Sequence, residues 1–396
     1  QVPFENVGGS IEVNGRTLRL LRGMTSSGAG TIDVTDAVSE LGCRITDVEG
    51  GGFEVRDGTL QVVGNRDVLL RLVKPATIDG QVETHVTDDP ATSTVETFMM
   101  DASATAGRVG FSGDGGWTNR GVLHFVATGS TRRTQQFDIP FVNASGARVS
   151  QGPEPNSSVN GRFDLVIGDG ALLANRGTWR LGGDLADGGD ANGFTNAGEL
   201  IALGQGTGTI TDFVEMTHEI AVPFSNIGTV RATAFPEERS RVVDITGAVT
   251  QRDGATLTGG EWIVEERAHL RMGAGPITVL DGDATVRLLG GNFDQVDLTT
   301  NRGTFEVTVR DLEIDHAVFN GADAWLIVAD EAKLDITGDL TNDGGNLRVP
   351  AERRVFSAST PGLLVGGRFI QTGGSAVITG AAAFQRYDHD GGEAVI

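Results

Sequence analysis

The chain has very little of two residue types that many binding sites require. Cys43 is the only cysteine among 396 residues, which excludes an internal disulfide and a zinc site built from cysteines. Lys74 and Lys333 are the only lysines, and neither follows a glycine. The Gly-Lys-Ser/Thr loop that binds phosphate is therefore absent. No apolar run approaches the roughly 20 residues that span a bilayer.

Aromatic residues are also scarce, at 6%, whereas glycine accounts for 58 residues. Apolar residues rarely recur at helical spacing, and residues 34–41 are the best candidate for a short helix. This composition is typical of many short strands joined by tight turns, so the sequence predicts an all-β protein. A hydrophobic content of 39% is enough for one elongated domain or two compact ones.

The charge balance is acidic, with 53 Asp and Glu against 31 Lys and Arg and a formal net charge of −22. Such a surface repels phosphate backbones, so we expect no nucleic acid partner. It also keeps the chain soluble.

A short motif, Asn-x-Gly followed by a strand-like segment, recurs along the chain. Several neighbouring copies lie 19 to 24 residues apart, and other gaps are nearer 30. One strand and one corner at this period are typical of solenoid proteins, so we predict a parallel β-helix. The predicted structural corners are the asparagines Asn6, Asn119, Asn143, Asn175, Asn196, Asn226, Asn301 and Asn342 and the glycines Gly121, Gly177, Gly198, Gly228 and Gly303. A looser copy of the motif places a further corner at Asn320.

The residue types of the motif suggest how each corner forms. Asparagine and glycine tolerate the positive φ that a sharp corner demands, and β-branched or aromatic residues then begin a strand. Alternation predicts that Trp179 and Leu181 point inward, and likewise Phe305, Val307 and Val309. Stacked coils place the asparagines above one another, where their side-chain amides can form a ladder.

A longer version of the motif, Pro-Phe-x-Asn, occurs three times. Core aromatics outnumber functional ones, so we interpret this version as a structural corner and not as a binding motif. We predict that its phenylalanine turns inward just before the corner in each copy, at Phe4, Phe141 and Phe224.

The motif divides the chain into three predicted regions. Residues 1–43 form the first coils, and residues 119–396 form the main series of repeats. Residues 44–118 lack clean corners, which predicts an irregular β region of elongated coils or an inserted β-sandwich. The polar residues 151–161 are typical of a protruding loop.

From Thr256 onward, segments such as TLTGGEWIVEERAHLRM, LTTNRGTFEVTV and GRFIQTGGSAVITG follow in order. With earlier coils back to Phe141, they resemble the glycine-rich β-helical repeats of bacterial autotransporter and adhesin-like proteins, and of planctomycete-type giant extracellular surface proteins. The resemblance is one of repeat style and covers roughly residues 141–380. It implies a secreted, right-handed parallel β-helix with a structural or adhesive use, and it implies no catalytic residues.

Polysaccharide lyases and hydrolases also use β-helices, and they need clustered or paired carboxylates, often with calcium. The polygalacturonase motifs Asn-Thr-Asp, Gly-His-Gly and Arg-x-Lys are absent, as are a Gly-x-Ser-x-Gly elbow and a His-x-x-x-His pair. We therefore expect no enzymatic activity, and a polysaccharide-binding or polysaccharide-cleaving protein is the alternative.

Three further features have both a structural and a functional interpretation. The glycine-rich loop with Asp184, Asp187 and Asp190 is either a solvated turn or a calcium site, so no cofactor is expected other than calcium. Asn143 and Asn156 lie in sequons and are candidate glycosylation sites. The tryptophans are predicted to lie in the core, with a sugar-stacking platform as the alternative; they are Trp117, Trp179, Trp262 and Trp325.

Together these features predict an extracellular structural protein of a bacterial cell surface, a β-solenoid segment of a filament, surface layer or adhesin stalk. The expected partners are further copies or neighbouring segments of a longer chain, and surface glycans. Because the chain opens at Gln1 without a signal peptide and closes on a strand-like segment, we expect a piece of a longer protein. A trimeric phage or injection-device fibre is a further alternative, which a more hydrophobic outer face would favour.

Overall fold

The computed structural model of the chain describes most of its residues, and every structural statement below concerns these ranges. They are residues 4–12, 18–20, 24–33, 43–46, 53–64, 68–72, 76–86, 98–102, 109–126, 133–152, 163–202, 216–234, 241–329, 332–350 and 362–395. The helix candidate at 34–41, most of the polar loop at 151–161 and the sequon at Asn156 lie outside them.

The described residues form β-strands and turns, without an α-helix. In chain order, the first strands are β1 (Phe4–Val7), β2 (Ser10–Glu12), β3 (Leu18–Leu20), β4 (Met24–Ser27), β5 (Gly30–Asp33), β6 (Cys43–Thr46), β7 (Phe53–Val55), β8 (Thr59–Gly64), β9 (Val68–Leu72), β10 (Ala76–Ile78), β11 (Gln81–Val86), β12 (Phe98–Ala102), β13 (Val109–Ser112), β14 (Gly116–Asn119), β15 (Val122–Val126), β16 (Arg133–Phe137), β17 (Phe141–Asn143), β18 (Arg148–Gly152), β19 (Phe163–Ile167), β20 (Leu172–Asn175), β21 (Thr178–Leu181), β22 (Leu185–Asp187), β23 (Gly193–Asn196) and β24 (Glu199–Ala202).

The later strands have similar lengths, apart from two long ones near the end. They are β25 (Met216–Ile220), β26 (Phe224–Asn226), β27 (Thr229–Ala232), β28 (Arg241–Ile245), β29 (Arg252–Asp253), β30 (Thr256–Leu257), β31 (Glu261–Glu265), β32 (Ala268–Met272), β33 (Ile277–Leu280), β34 (Thr285–Leu289), β35 (Asn292–Phe293), β36 (Val296–Asn301), β37 (Thr304–Thr308), β38 (Asp311–Ile314), β39 (Val318–Asn320), β40 (Trp325–Ala329), β41 (Lys333–Ile336), β42 (Leu340–Asn342), β43 (Asn346–Val349), β44 (Leu363–Gln371), β45 (Ser375–Ile378), β46 (Ala382–His389) and β47 (Glu393–Val395).

The chain divides into two compact units. The first unit contains Gln1–Val214 and His218–Ser225, and the second contains Glu215–Thr217 and Asn226–Ile396.

In the first unit, each strand from β4 to β24 pairs in parallel with the strand three places earlier in the chain. One sheet runs from β1 through β4 and β7 to β22, a second from β2 through β5 to β23, and a third from β3 through β6 to β24. Three successive strands, one for each sheet, therefore make one coil. The described strands within residues 44–118 follow the same rotation, with β9 and β12 pairing in parallel like their neighbours.

The second unit is also built from parallel sheets, with some irregularity. Its longest sheet has the order β27-β31-β34-β37-β40-β43-β45-β47. In another sheet, the nine-residue β44 pairs with β41, with β42 and with the eight-residue β46. The short strands β29 and β30 pair antiparallel. The all-β class and the long parallel sheets predicted from the sequence are thereby confirmed. The fold is of a β-solenoid-like class.

Alternating side chains fill the interior of each unit. In the first unit, ring centroids follow one another at 5.8 Å from Phe137 to Phe141, 5.7 Å from Phe141 to Trp179 and 5.2 Å from Trp179 to Phe194. The four rings are buried, and burial of such a ring contributes about 2 kcal/mol. The corner phenylalanine of the Pro-Phe-x-Asn version points inward at Phe141 and at Phe224, as predicted, and the side chain of Phe4 lies outside the described part of the chain.

The predicted alternation holds along most strands and fails at one strand end. Trp179, Leu181, Phe305 and Val307 are all buried, as predicted. The prediction for Val309 was wrong, because this residue is 52% exposed and has a φ of 60°. Strand β37 ends at Thr308, so the next residue no longer follows the pleat of the strand.

Candidate functional site

Corner asparagines of successive coils form a buried ladder of amides in the first unit. Parallel pairing brings Asn119, Asn143, Asn175 and Asn196 into register. Asn119 Nδ2 donates to Asn143 Oδ1 at 2.9 Å, and Asn143 Nδ2 donates to Asn175 Oδ1 at 2.8 Å. Asn175 Nδ2 donates to Asn196 Oδ1 at 2.8 Å. All four side chains have no exposed surface, so each is a buried polar group with a partner in a neighbouring coil.

Amides of this ladder also bond backbone groups, both in their own corner and in the next coil. Asn119 Oδ1 accepts the amide N–H of Gly121 at 3.2 Å. Asn119 Nδ2 also donates to the Arg148 carbonyl at 3.1 Å, and Asn143 Nδ2 donates to the Thr178 carbonyl at 3.1 Å. The ladder therefore connects the end of one strand to the start of a strand in the next coil. Amides do not titrate, so the chemistry of the ladder is cohesion and not proton transfer.

A second ladder of the same kind lies in the second unit. Asn301 Nδ2 donates to Asn320 Oδ1 at 2.8 Å, and Asn320 Nδ2 donates to Asn342 Oδ1 at 2.6 Å. Asn342 Nδ2 in turn donates to Gln371 Oε1 at 2.8 Å. On the other side of Asn301, the residue in register is the buried Leu280, which ends the ladder.

Asn6 is placed differently from the ladder asparagines, and Asn226 belongs to the second unit. Asn6 lies on β1, in a different sheet from β14, and its side chain bonds the backbone of Gly9 within its own turn. Asn226 donates its backbone N–H to Gln251 Oε1 at 2.8 Å and its side-chain amide to the Glu261 carbonyl at 3.2 Å.

The ladders include members that the motif did not identify. Thr84 Oγ1 donates to Asn119 Oδ1 at 3.1 Å and accepts the indole N–H of Trp117 at 3.3 Å. The sequence around Thr84 carries no corner motif. Gln371 was identifiable, because Gln371-Thr372-Gly373 repeats the spacing of Asn-x-Gly with a longer amide.

Three of the predicted corner glycines serve close packing and not the positive φ that we predicted. Gly177, Gly198 and Gly303 are absent from the positive-φ residues of the described chain, whereas Gly8 and Gly344 are among them. A Cβ on Gly177 would lie 2.1 Å from the Ala147 carbonyl oxygen. One on Gly198 would lie 2.0 Å from the Gly177 oxygen, and one on Gly303 would lie 2.3 Å from the Ala284 oxygen. Adjacent coils approach too closely here for any side chain. Gly121 and Gly228 follow Asn119 and Asn226 at the same spacing.

In the candidate calcium loop, the carboxylates of Asp184 and Asp187 bond the protein itself, and Asp190 does so through its backbone amide. The buried Asp184 accepts the Glu219 amide on Oδ1 at 2.7 Å. Asp187 Oδ1 accepts Asn192 Nδ2 at 2.8 Å, and the Asp190 amide donates to Asp169 Oδ1 at 2.5 Å. The described ranges contain no group of three or more His, Cys, Asp or Glu side chains arranged to hold a metal ion. The structure thus does not gather these three carboxylates around one point.

The Asn143 sequon coincides with the ladder. Its Nδ2 atom, to which a glycan would attach, donates to Asn175 Oδ1 and has no exposed surface. Glycosylation of this atom is incompatible with the folded arrangement.

Two histidines of the second unit pair with carboxylates on its surface. His269 Nδ1 lies 2.8 Å from Asp294 Oδ1, and Arg271 Nε donates to Asp294 Oδ2 at 2.7 Å. His316 Nε2 lies 2.7 Å from Asp297 Oδ1. Burial, the largest influence, lowers the pKa of His316, but the Ala317 carbonyl and Asp297 raise it, and the pKa lies above its ordinary value.

This raised pKa predicts a pH dependence of stability. The contribution of protonated His316 is complete below its unfolded-state pKa of about 6.5, and it is lost as the pH rises through the higher folded-state pKa. We expect His316→Gln and Asp297→Asn to reduce the loss of stability that begins as the pH rises above about 6.5, measured as urea midpoints at several pH values. An unchanged pH profile in both variants contradicts this assignment.

The four tryptophans do not share one environment. Trp117, Trp179 and Trp262 are buried, as predicted for core residues. The prediction was wrong for Trp325, which is 42% exposed at the start of β40. Its indole is directed to the outer face of the sheet, opposite to the buried Leu326.

The described residues include no helix with the length and apolarity needed to cross a membrane. In comparisons with known proteins, the chain matches no family model, no curated protein and no solved structure.

Proposed function

We propose that the chain is a structural segment of an extracellular bacterial surface protein, a closed right-handed parallel β-helix that serves as a stalk or scaffold. The observation that carries this proposal is the pair of buried amide ladders. Their side chains are directed inward and bond one coil to the next, in parallel with the backbone pairing. The style of the glycine-rich repeats supports the extracellular placement.

This arrangement favours resistance to force along the stack of coils. Between neighbouring coils, the backbone pairs of each sheet and the ladder bond have to break together, because they bridge the same gap. Hydrogen bonds that share a pulling force resist that force better than bonds that break one after another. The partners that suit such a scaffold are neighbouring segments or copies of the same chain.

Single-molecule pulling tests the mechanical role. With the chain held between two reference domains, we expect release in steps of about 70–120 Å, the extended length of one coil of about 20–35 residues. Asn175→Ala is expected to lower the force of these steps, and Thr195→Ala, at an exposed position on β23, is the control. Extension without steps, or equal forces in all three proteins, contradicts the mechanical role.

The extracellular placement has a separate test. Antibodies against the chain are expected to label intact cells of the source bacterium. Labelling that requires permeabilised cells overturns this part of the proposal.

A further inference from the structure

Trp325 occupies a position where neighbouring coils carry small polar residues. The residues in register with it on the two adjacent strands are Thr304 and Asn346. One strand further out, the corresponding residues are Thr285 and Ser375. All four are half-buried, whereas Trp325 is 42% exposed, so the indole stands above a row of hydroxyl and amide groups.

The next row on the same face carries charged groups beside the indole. Arg287 Nε donates to Glu306 Oε2 at 2.8 Å, and Thr308 Oγ1 donates to Glu306 Oε1 at 3.4 Å. Arg348 lies exposed on β43, in register with Ile327 of β40. The row of the indole itself therefore consists of hydrogen-bonding groups, and the next row combines charged side chains with the half-buried Ile327 and with Val377, which is 36% exposed.

The backbone of Trp325 is fixed on both sides. Its amide N–H donates to the Gly303 carbonyl at 2.8 Å, and its own carbonyl accepts Asn301 Nδ2 at 2.8 Å. Asn301 is the first member of the second ladder. The indole thus projects from a strand that is already held in place, which lowers the entropy lost when a ligand binds.

We infer that this face, centred on Trp325 and extending over β34, β37, β40, β43 and β45, binds a saccharide chain. A pyranose ring has an apolar C–H face that stacks on the indole, and it has hydroxyl groups at its edge for Thr304, Asn346 and Glu306. This combination of one flat ring and many small polar groups matches an amphipathic sugar. A purely apolar partner leaves the polar groups without hydrogen bonds, and a nucleic acid is repelled by the net charge of −22.

The four tryptophans make the site observable without a label. Trp325 is the exposed one, and the others are buried, so acrylamide quenching reports on Trp325. The full chain is titrated with the uncharged oligosaccharides cellohexaose, chitohexaose and mannohexaose, because a polyanionic saccharide is repelled by the net charge in the same way as a nucleic acid. With at least one of them, we expect a saturable change in emission and at least a twofold fall in the quenching constant.

Variants assign the binding to this face. Trp325→Ala is expected to weaken binding at least tenfold in affinity electrophoresis, because aromatic platforms dominate such sites. Thr304→Ala and Asn346→Ala are expected to weaken it a few-fold, and Trp325→Phe to retain part of it. Leu172→Ala is the matched control, since Leu172 is an exposed apolar residue of the first unit.

Three results overturn the inference. The first is the absence of any response to the whole panel, and the second is binding that Trp325→Ala leaves unchanged. The third is a quenching constant that falls as the protein concentration rises without sugar, which assigns the face to a second copy of the chain. Circular dichroism of each variant checks that it is folded, so that a loss of binding belongs to the site.

Discussion

Replacing Asn320 with leucine is expected to lower the free energy of unfolding of the second unit by about 2–5 kcal/mol. Asn320 lies inside the ladder, accepting from Asn301 and donating to Asn342 and to the Asn346 carbonyl. Leucine removes these bonds and leaves a buried donor on one side and a buried acceptor on the other. Each unsatisfied buried group costs about 1–3 kcal/mol.

Urea unfolding followed by circular dichroism measures this loss, and the sequence offers a close control. Thr341 lies beside Asn342 on β42, with its side chain on the opposite, half-buried side. We expect Thr341→Leu to change stability by no more than about 0.5 kcal/mol. Equal midpoints for Asn320→Leu and the unchanged protein would show that the ladder contributes nothing. A leucine side chain fits beside a ladder asparagine, because the buried Leu280 lies in register with Asn301 at the end of the ladder, where no further amide bond forms.

The ladders could be predicted from the sequence because their motif combines a chemical group with a period. Asn-x-Gly at 19 to 24 residues places amides one above another once the strands pair in parallel. The Asn-x-Gly motif alone did not reveal to which sheet each asparagine belongs. Asn6 has the motif but lies on β1, in another sheet from the ladder on β14, β17 and β20. Register comes from the pairing of whole strands, and one motif does not contain it.

The orientation of Trp325 shows why the candidate binding face could not be predicted. The inward aromatic follows the corner asparagine by four residues at Trp179 and at Phe305. Trp325 follows Asn320 by five residues, and Leu326 takes the inward place in register with Phe305. The corner is longer here and contains Asp323 with a φ of 60°. In a strand, a shift of one residue moves a side chain to the other face, and corner length is not readable from the motif.

The corner glycines show a similar limit of prediction from sequence. Their positions were identified, but the physical reason why glycine is needed there was not. The sequence marks Gly177, Gly198 and Gly303 as required, and backbone freedom is the usual explanation for glycine. Their φ values are not positive, and the cause is the carbonyl oxygen of the coil alongside. Contacts between coils are not encoded in a local motif, so only the stacked arrangement reveals them.

Gly198→Ala is therefore expected to destabilise the first unit by about 2–4 kcal/mol, above the usual cost of an added methyl in a packed core. The new Cβ would lie 2.0 Å from the Gly177 oxygen and 2.7 Å from the Arg176 carbonyl carbon, and both are backbone atoms that cannot rotate away. Relief requires the two coils to separate. That separation lengthens the nearby ladder bond from Asn175 to Asn196, so the two costs add.

Gly193→Ala is the matched control, five residues earlier in the same coil. Its nearest heavy atom lies at 3.4 Å, and its φ is not in the positive region, so the added methyl fits. Because alanine also restricts the unfolded chain, we expect this variant to be unchanged or up to about 1 kcal/mol more stable. Thermal and urea unfolding of the two variants separate close packing from backbone freedom. If glycine were required for its conformational freedom alone, the two substitutions would have the same effect, and similar midpoints would refute the close-packing explanation.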